Sequence, residues 1–168
     1  ERSATIHVLP VELIGERRLS ARGAAWGRLR FPVTLKRRDM IVQHFFDEAT
    51  FTLTYVVHDE ETRTGVVIDT VTDFDPASGC TCNRSSDMVA AYLDRHRLTV
   101  PYVLDTHAHA DHFTGLPYFK ERYGCKTVIG KSIKVVQATF RNVFNLGDAF
   151  PVDGSQFDVL LENGEILE

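Results

Sequence analysis

From residue 51 to residue 57 apolar and polar positions alternate, with Phe51, Leu53, Tyr55 and Val57 on one side and threonines on the other. A period of two is that of a β-strand with distinct faces. The polar run 59–65 ends at Gly65 and predicts a turn, after which residues 66–68 are evenly apolar and stop at Asp69. This pattern predicts a β-hairpin with a buried second strand. Asp69 is either a solvated turn acid or one that reaches toward the next loops. Residues 72–86 are polar and predict a loop. Val89, Tyr92, Leu93 and His96 then recur at helical spacing. Ser85 or Ser86 is the expected cap, with Asp87 at the positive end of the helix and Arg95 and Arg97 at its negative end. His96 reads as a helix-edge residue rather than a ligand.

Residues 99–104 predict a strand, and a polar cluster follows it directly. Pro117 suits the first turn of a short helix that Gly124 stops. Residues 126–129 predict another strand and residues 131–141 a helix with Ile133, Val136 and Phe140 inward. The strand signal at 157–161 runs into Asn163-Gly164, a strong hairpin signal. The returning strand has only begun, at Ile166 and Leu167, when the chain stops, so truncation is the expectation. Strands alternating with helices predict an α/β arrangement with a mixed sheet.

At 168 residues the chain can build one domain with a substantial core. No apolar run approaches the ~20 residues that cross a bilayer, so no membrane span is expected. Charge is unevenly placed. Residues 1–39 hold nine Lys/Arg against four Asp/Glu, and residues 40–168 hold ten against nineteen. The acidic body argues against nucleic acid as a partner. The basic first 39 residues lack periodicity and are expected to be poorly ordered. Their composition resembles a mitochondrial transit segment, and a secretory signal is not expected because no apolar core follows the charges. The third option is upstream sequence read in frame before a true start at Met40. The last is favoured, because the patterning sharpens at Met40. The expected organisation is therefore a basic extension over 1–39 and a truncated domain over 40–168. Cys80, Cys82 and Cys125 form no disulfide framework. A reducing compartment, the cytoplasm, is the default, or the mitochondrial matrix if the first 39 residues are a transit segment.

The chemistry is concentrated at Asp105-Thr106-His107-Ala108-His109-Ala110-Asp111-His112, where three imidazoles and two carboxylates occupy eight positions. Alternate residues after a strand project to one side, so His107, His109 and Asp111 point into one cavity. His112 is expected to enter from the first turn of the following helix. Imidazole with carboxylate suits zinc, iron or manganese, and the lack of thiolate argues against a purely structural zinc knot. The four could divide between two adjacent ions that activate a water, or supply one ligand to a single iron with the others around it. Ligand identity alone leaves both open.

The segment 106–115, Thr-His-Ala-His-Ala-Asp-His-Phe-Thr-Gly, resembles the His-x-His-x-Asp-His motif of the metallo-β-lactamase superfamily. The likeness extends over 40–168 and includes residues 44–51 (His-Phe-Phe-Asp-Glu-Ala-Thr-Phe) and 67–75 (Val-Ile-Asp-Thr-Val-Thr-Asp-Phe-Asp). Within the superfamily it is similar to the branch of persulfide dioxygenases, glyoxalase II-like enzymes and β-lactamase-hydrolase-like proteins. The resemblance implies an αββα sandwich, of which this chain holds the first half, with helices on the outer face of a mixed sheet. By likeness to the hydrolases, His107 and His109 bind a first metal, and Asp111 and His112 a second. By likeness to the dioxygenases, His107 alone binds one Fe(II), and His109, Asp111 and His112 shape the pocket. Asp111 is also the candidate catalytic carboxylate, and Asp69 matches an acid near the site floor. Thr70 follows Asp69 where a proline is usual. The remaining ligands of the family would lie beyond Glu168, so weak metal binding is expected of the chain alone.

Two activities follow from the resemblance. One is oxidation of glutathione persulfide by O2 at mononuclear Fe(II). The other is hydrolysis of a glutathione thioester at two zinc ions. An inactive truncated domain is the third reading. The implied partners are a glutathione-linked small molecule and O2, and a homodimer is left open.

Overall fold

The computed structural model describes residues 40–167, and the expectations for residues 1–39 lie outside them. The backbone forms a six-stranded sheet in the order β1-β2-β3-β6-β8-β9. β1 (Met40–Asp47), β2 (Thr52–Asp59) and β3 (Thr64–Ile68) are an antiparallel meander. β6 (Thr99–Leu104), β8 (Lys126–Gly130) and β9 (Val159–Leu161) add to β3 in parallel. Each parallel step is made by a crossover carrying a helix: α1 (Arg84–His96), α2 (Leu116–Tyr123) and α3 (Ile133–Val143). A second, three-stranded ribbon pairs β4 (Val71–Asp75) with β5 (Cys80–Cys82) and with β7 (Phe113–Thr114).

The α/β class, the hairpin, the three helices and the Asn163-Gly164 turn are as the pattern predicts. Register puts Val56, Val67 and Val103 in one row across β2, β3 and β6. All three are fully buried beneath Val89 and Leu93 of α1 and Leu116 and Phe119 of α2. Each such side chain contributes roughly 1.5–3 kcal/mol by leaving water. This row is the core, and it fixes how the helix layer sits on the sheet.

β1 is a full strand whose residues alternate between exposed and half-buried. Three expectations need correction. In β2 the threonine side is the more enclosed one: Thr54 is buried while Phe51 and Leu53 are exposed. Thr54 is tolerated there because its Oγ1 donates to the Asp69 carbonyl at 2.6 Å. Residues 72–86 are not simply loop, because β4 and β5 pair there through short, polar stretches. In α3, Gln137 faces inward and Phe140 is 41% exposed. The Gln137 Oε1 accepts from the Gly154 amide at 3.0 Å, and its Nε2 donates to Gln156 at 2.8 Å.

Neither Ser85 nor Ser86 caps α1, whose N-cap is Asn83. The first turn is instead held by Asp73 of β4, which accepts from the Ser85 amide at 2.9 Å and its hydroxyl at 2.8 Å. Ser86 Oγ donates to the Val71 carbonyl at 2.9 Å. The β4 ribbon is thereby fastened to α1, and through β7 to the end of the polar cluster.

Candidate metal centre

The cluster lies at the carboxyl ends of two neighbouring parallel strands, β3 and β6. That crevice is where open α/β sheets bind ligands. Asp69 ends β3 with φ +53°, a left-handed conformation that Asp tolerates better than most residues. Its amide donates to the Leu104 carbonyl at 2.9 Å, which ties the two strand ends together. Its carboxylate accepts from the Thr106 amide at 2.7 Å and the Thr106 hydroxyl at 2.8 Å. The same carboxylate lies 3.1 Å from Nε2 of His109. Asp69 is therefore not a solvated turn acid but the floor of the loop.

The loop closes on its far side at Gly115, whose amide donates to the Thr70 carbonyl at 2.9 Å. A Cβ at Gly115 would stand 2.9 Å from Ser86 Oγ and 3.0 Å from Thr70 Oγ1, so only glycine fits. Val71 pairs with Thr114 and Thr72 with Phe113. His112 therefore precedes a short strand and does not belong to a helix, whose first residue is Leu116. The expectation of a helical His112 fails because β4 captures the chain first.

His109, Asp111 and His112 each offer a ligand atom within 4.8 Å of the others, and Asp69, Asp105 and His109 form a second such group. The rings of His107 and His109 are 4.4 Å apart and those of His109 and His112 4.3 Å apart. His107 stands at the exposed rim with Nδ1 2.8 Å from Thr106 Oγ1, and it belongs to neither close group. The His112 side chain is fully enclosed. Its Nδ1 lies 3.3 Å from both Thr52 Oγ1 and Asp111 Oδ2, while its Nε2 is buried with no hydrogen-bond partner. A buried imidazole nitrogen without a partner is costly unless something takes its lone pair. The donor set and this orphaned nitrogen fit a metal ion. Thr52 was not singled out from the sequence. It reaches the site because it shares the inward face of β2 with Thr54.

The electrostatics agree with ligand chemistry. Burial, then the neighbouring imidazole of His112, lowers the His109 pKa, which favours the neutral ring a metal requires. The hydrogen bond from His112 holds the Asp111 carboxyl below its usual range. Asp105 is buried at the end of β6, and burial pushes its pKa up to about 7, with the Asp69 charge adding to the rise. Thr114 Oγ1 donates to it at 3.1 Å and partly offsets the shift.

Outside this region, His96 packs against Tyr92 with ring centroids 4.2 Å apart and planes tilted by 34°, in keeping with a helix-edge residue. Cys80 and Cys82 are exposed free thiols, and Cys125 is a buried one. No helix among the described residues is long and apolar enough to cross a membrane.

Residues 47–165 match the family model of the metallo-β-lactamase superfamily. The chain is 42% identical over 134 residues to a β-lactamase hydrolase-like protein of Agrobacterium fabrum, covering 78% of this chain and 31% of that one. It is 39% identical over 111 residues to Glyoxylase B2 of Dictyostelium discoideum, covering 66% and 38%. It is 29% identical over 155 residues to the human mitochondrial persulfide dioxygenase ETHE1, covering 92% and 44%. The chain thus spans between 31% and 44% of the length of these relatives. A family match over most of the chain, on a helix-backed mixed sheet with the His/Asp loop at its strand ends, shows that the chain belongs to the metallo-β-lactamase superfamily.

Proposed function

We propose that this chain carries part of the active site of a persulfide dioxygenase. Glutathione persulfide, O2 and water would give glutathione, sulfite and two protons, the outer sulfur losing four electrons to O2. A single Fe(II) would supply open coordination positions for both substrates. The observation that carries the reading is the division among the four candidates. His109, Asp111 and His112 are hydrogen-bonded to Asp69, to Thr52 or to one another. His107 alone stands at the mouth, its Nδ1 beside Thr106. Its Nε2 makes no hydrogen bond among the described residues. The ring is thus turned by its neighbour to present one nitrogen, as a ligating imidazole is. The human persulfide dioxygenase, whose likeness covers 92% of the chain, supports the same reading.

A second reading rests on the orphaned Nε2 of His112. That atom suits a second ion, and two ions suit hydrolysis of a glutathione thioester. The relative named Glyoxylase B2 favours it. The test is metal analysis and turnover of the whole protein purified without added metal. One iron per chain, with O2 consumption and sulfite on glutathione persulfide, supports the dioxygenase. Two metals per chain, with anaerobic hydrolysis of S-lactoylglutathione, overturns it in favour of the hydrolase.

A further inference from the structure

A second concentration of charge lies at the opposite end of the sheet. β6 separates its two ends by roughly 16 Å, at about 3.3 Å per residue. At the amino end of β6 a cleft of about 410 Å³ is bounded by Arg63, Arg95, Arg97, His58, His96 and Glu60. Three arginines and Glu60 line it, in a chain whose net charge is −4, and the Asp59 carboxylate also acts on His58. None of the three guanidiniums makes an ion pair or side-chain hydrogen bond among the described residues.

The bland account of such arginines is that they complement a helix dipole. It serves Arg95 and Arg97, which end α1. It does not serve Arg63, which sits in the β2–β3 turn and belongs to no helix. The chain pins Arg63 beside the others: its carbonyl accepts from the Thr99 amide at 2.7 Å, and its amide donates to Asp59 at 2.9 Å. Both Arg63 and Arg97 adopt left-handed backbone, with φ +54° and +53°. Glycine or asparagine would occupy such positions at about 1 kcal/mol less each. The sequence keeps arginine at both.

The back of the cleft is a built wall. His58 is 3% exposed, and its Nε2 is 3.0 Å from the Tyr92 hydroxyl. Its Nδ1 is buried and makes no hydrogen bond among the described residues. Gly65 lets the ring close in, because a Cβ there would stand 2.6 Å from His58 Cβ. His96 packs on Tyr92 beside it.

We infer that this cleft is a second binding site, for a small molecule bearing a phosphate group. A carboxylate is satisfied by one guanidinium fork, whereas three arginines lining one cleft from two elements suit a tetrahedral dianion. The cleft is larger than a phosphate ion, which leaves room for the organic part of a phosphomonoester against the His96 ring, Ile41 and Leu98. The site is remote from the His/Asp loop and does not depend on the metal or on the activity proposed above.

The test is titration of the 15N-labelled protein with inorganic phosphate and, separately, glycerol phosphate, each against chloride at equal ionic strength. Saturable shifts at the amides of residues 58, 63 and 95–98, with Kd at or below about 1 mM, are expected. Tighter binding of glycerol phosphate would point to a phosphorylated metabolite, and equal binding to the free ion; both support the site. Arg63→Asn and Arg97→Asn suit the left-handed backbone and should each weaken binding about fivefold or more, without changing the fold. Shifts confined to residues 105–115, shifts matched by chloride, or binding unaltered in both variants would overturn the proposal.

Discussion

Nε2 of His109 stands 3.1 Å from the Asp69 carboxylate, across 40 residues of chain and two parallel strands. The same carboxylate holds both the amide and the hydroxyl of Thr106. One acid thus sets the start of the loop, orients an imidazole, and acts on His107 through the Thr106 hydroxyl.

Asp69→Asn tests that role. Asparagine keeps the shape and tolerates the left-handed backbone, but its amide nitrogen cannot accept hydrogen bonds. Loss of a partner that orients ligands costs about 10–100-fold in metal affinity. The dissociation constant for the metal should rise by that order in a titration of the variant, while the circular dichroism spectrum stays that of the parent. Unchanged metal binding would show that Asp69 is only a turn residue.

The sequence alone identified the His/Asp loop, because five ligand-type residues in eight positions after an apolar strand leave few other readings. The hairpin, α2 with its Gly124 stop and the α/β order were legible for a similar reason: their signals are local. What escaped was set by partners distant in sequence. Thr52 and Thr54 looked like the solvent side of β2, yet they face inward because Asp69, Asp111 and His112 give their hydroxyls partners there. Likewise β4 and β7 are too short and polar to signal a strand, and exist because each completes the other's hydrogen bonds. His112 followed from that pairing, which no spacing rule contains.

His107 and His112 separate the two readings of the site. If one iron is held through His107, His107→Asn should abolish metal binding, while His112→Gln should keep one metal per chain with reduced turnover. If two ions are bound, His112→Gln should lower the stoichiometry from two to one. Metal analysis of both variants of the whole protein, beside the parent, distinguishes the cases without an activity assay.

Gly115→Ala addresses the closure of the loop. The added methyl meets Ser86 and Thr70, both only 1% exposed and so unable to move aside. Overpacking of this kind costs typically about 1–3 kcal/mol. The expected result is a lower denaturant midpoint with an unchanged slope. Restoring space with Ser86→Ala in the same chain should recover part of the loss, by a coupling that independent sites would not show.

Asp105 supplies a pH dependence whose sign follows from its burial. Its folded pKa is raised to about 7, so the folded chain holds this proton more tightly than the unfolded chain, where the group titrates near its ordinary value of about 4. The resulting stabilisation is fully present below about pH 4 and is lost as pH rises through about 7. Asp105→Asn removes this titration while keeping the acceptor for the Thr114 hydroxyl. In chelator-treated protein, the stability of the parent relative to Asp105→Asn should therefore decline between pH 4 and pH 7, by an amount on the order of a few kcal/mol at most. Denaturant unfolding of both proteins at several pH values measures the difference directly. A pH-independent difference would mean that Asp105 ionises in the folded chain as it does in the unfolded one. The Asp69 charge contributes to the rise, so Asp69→Asn should flatten the same curve in part, linking the two acids that close the ends of β3 and β6.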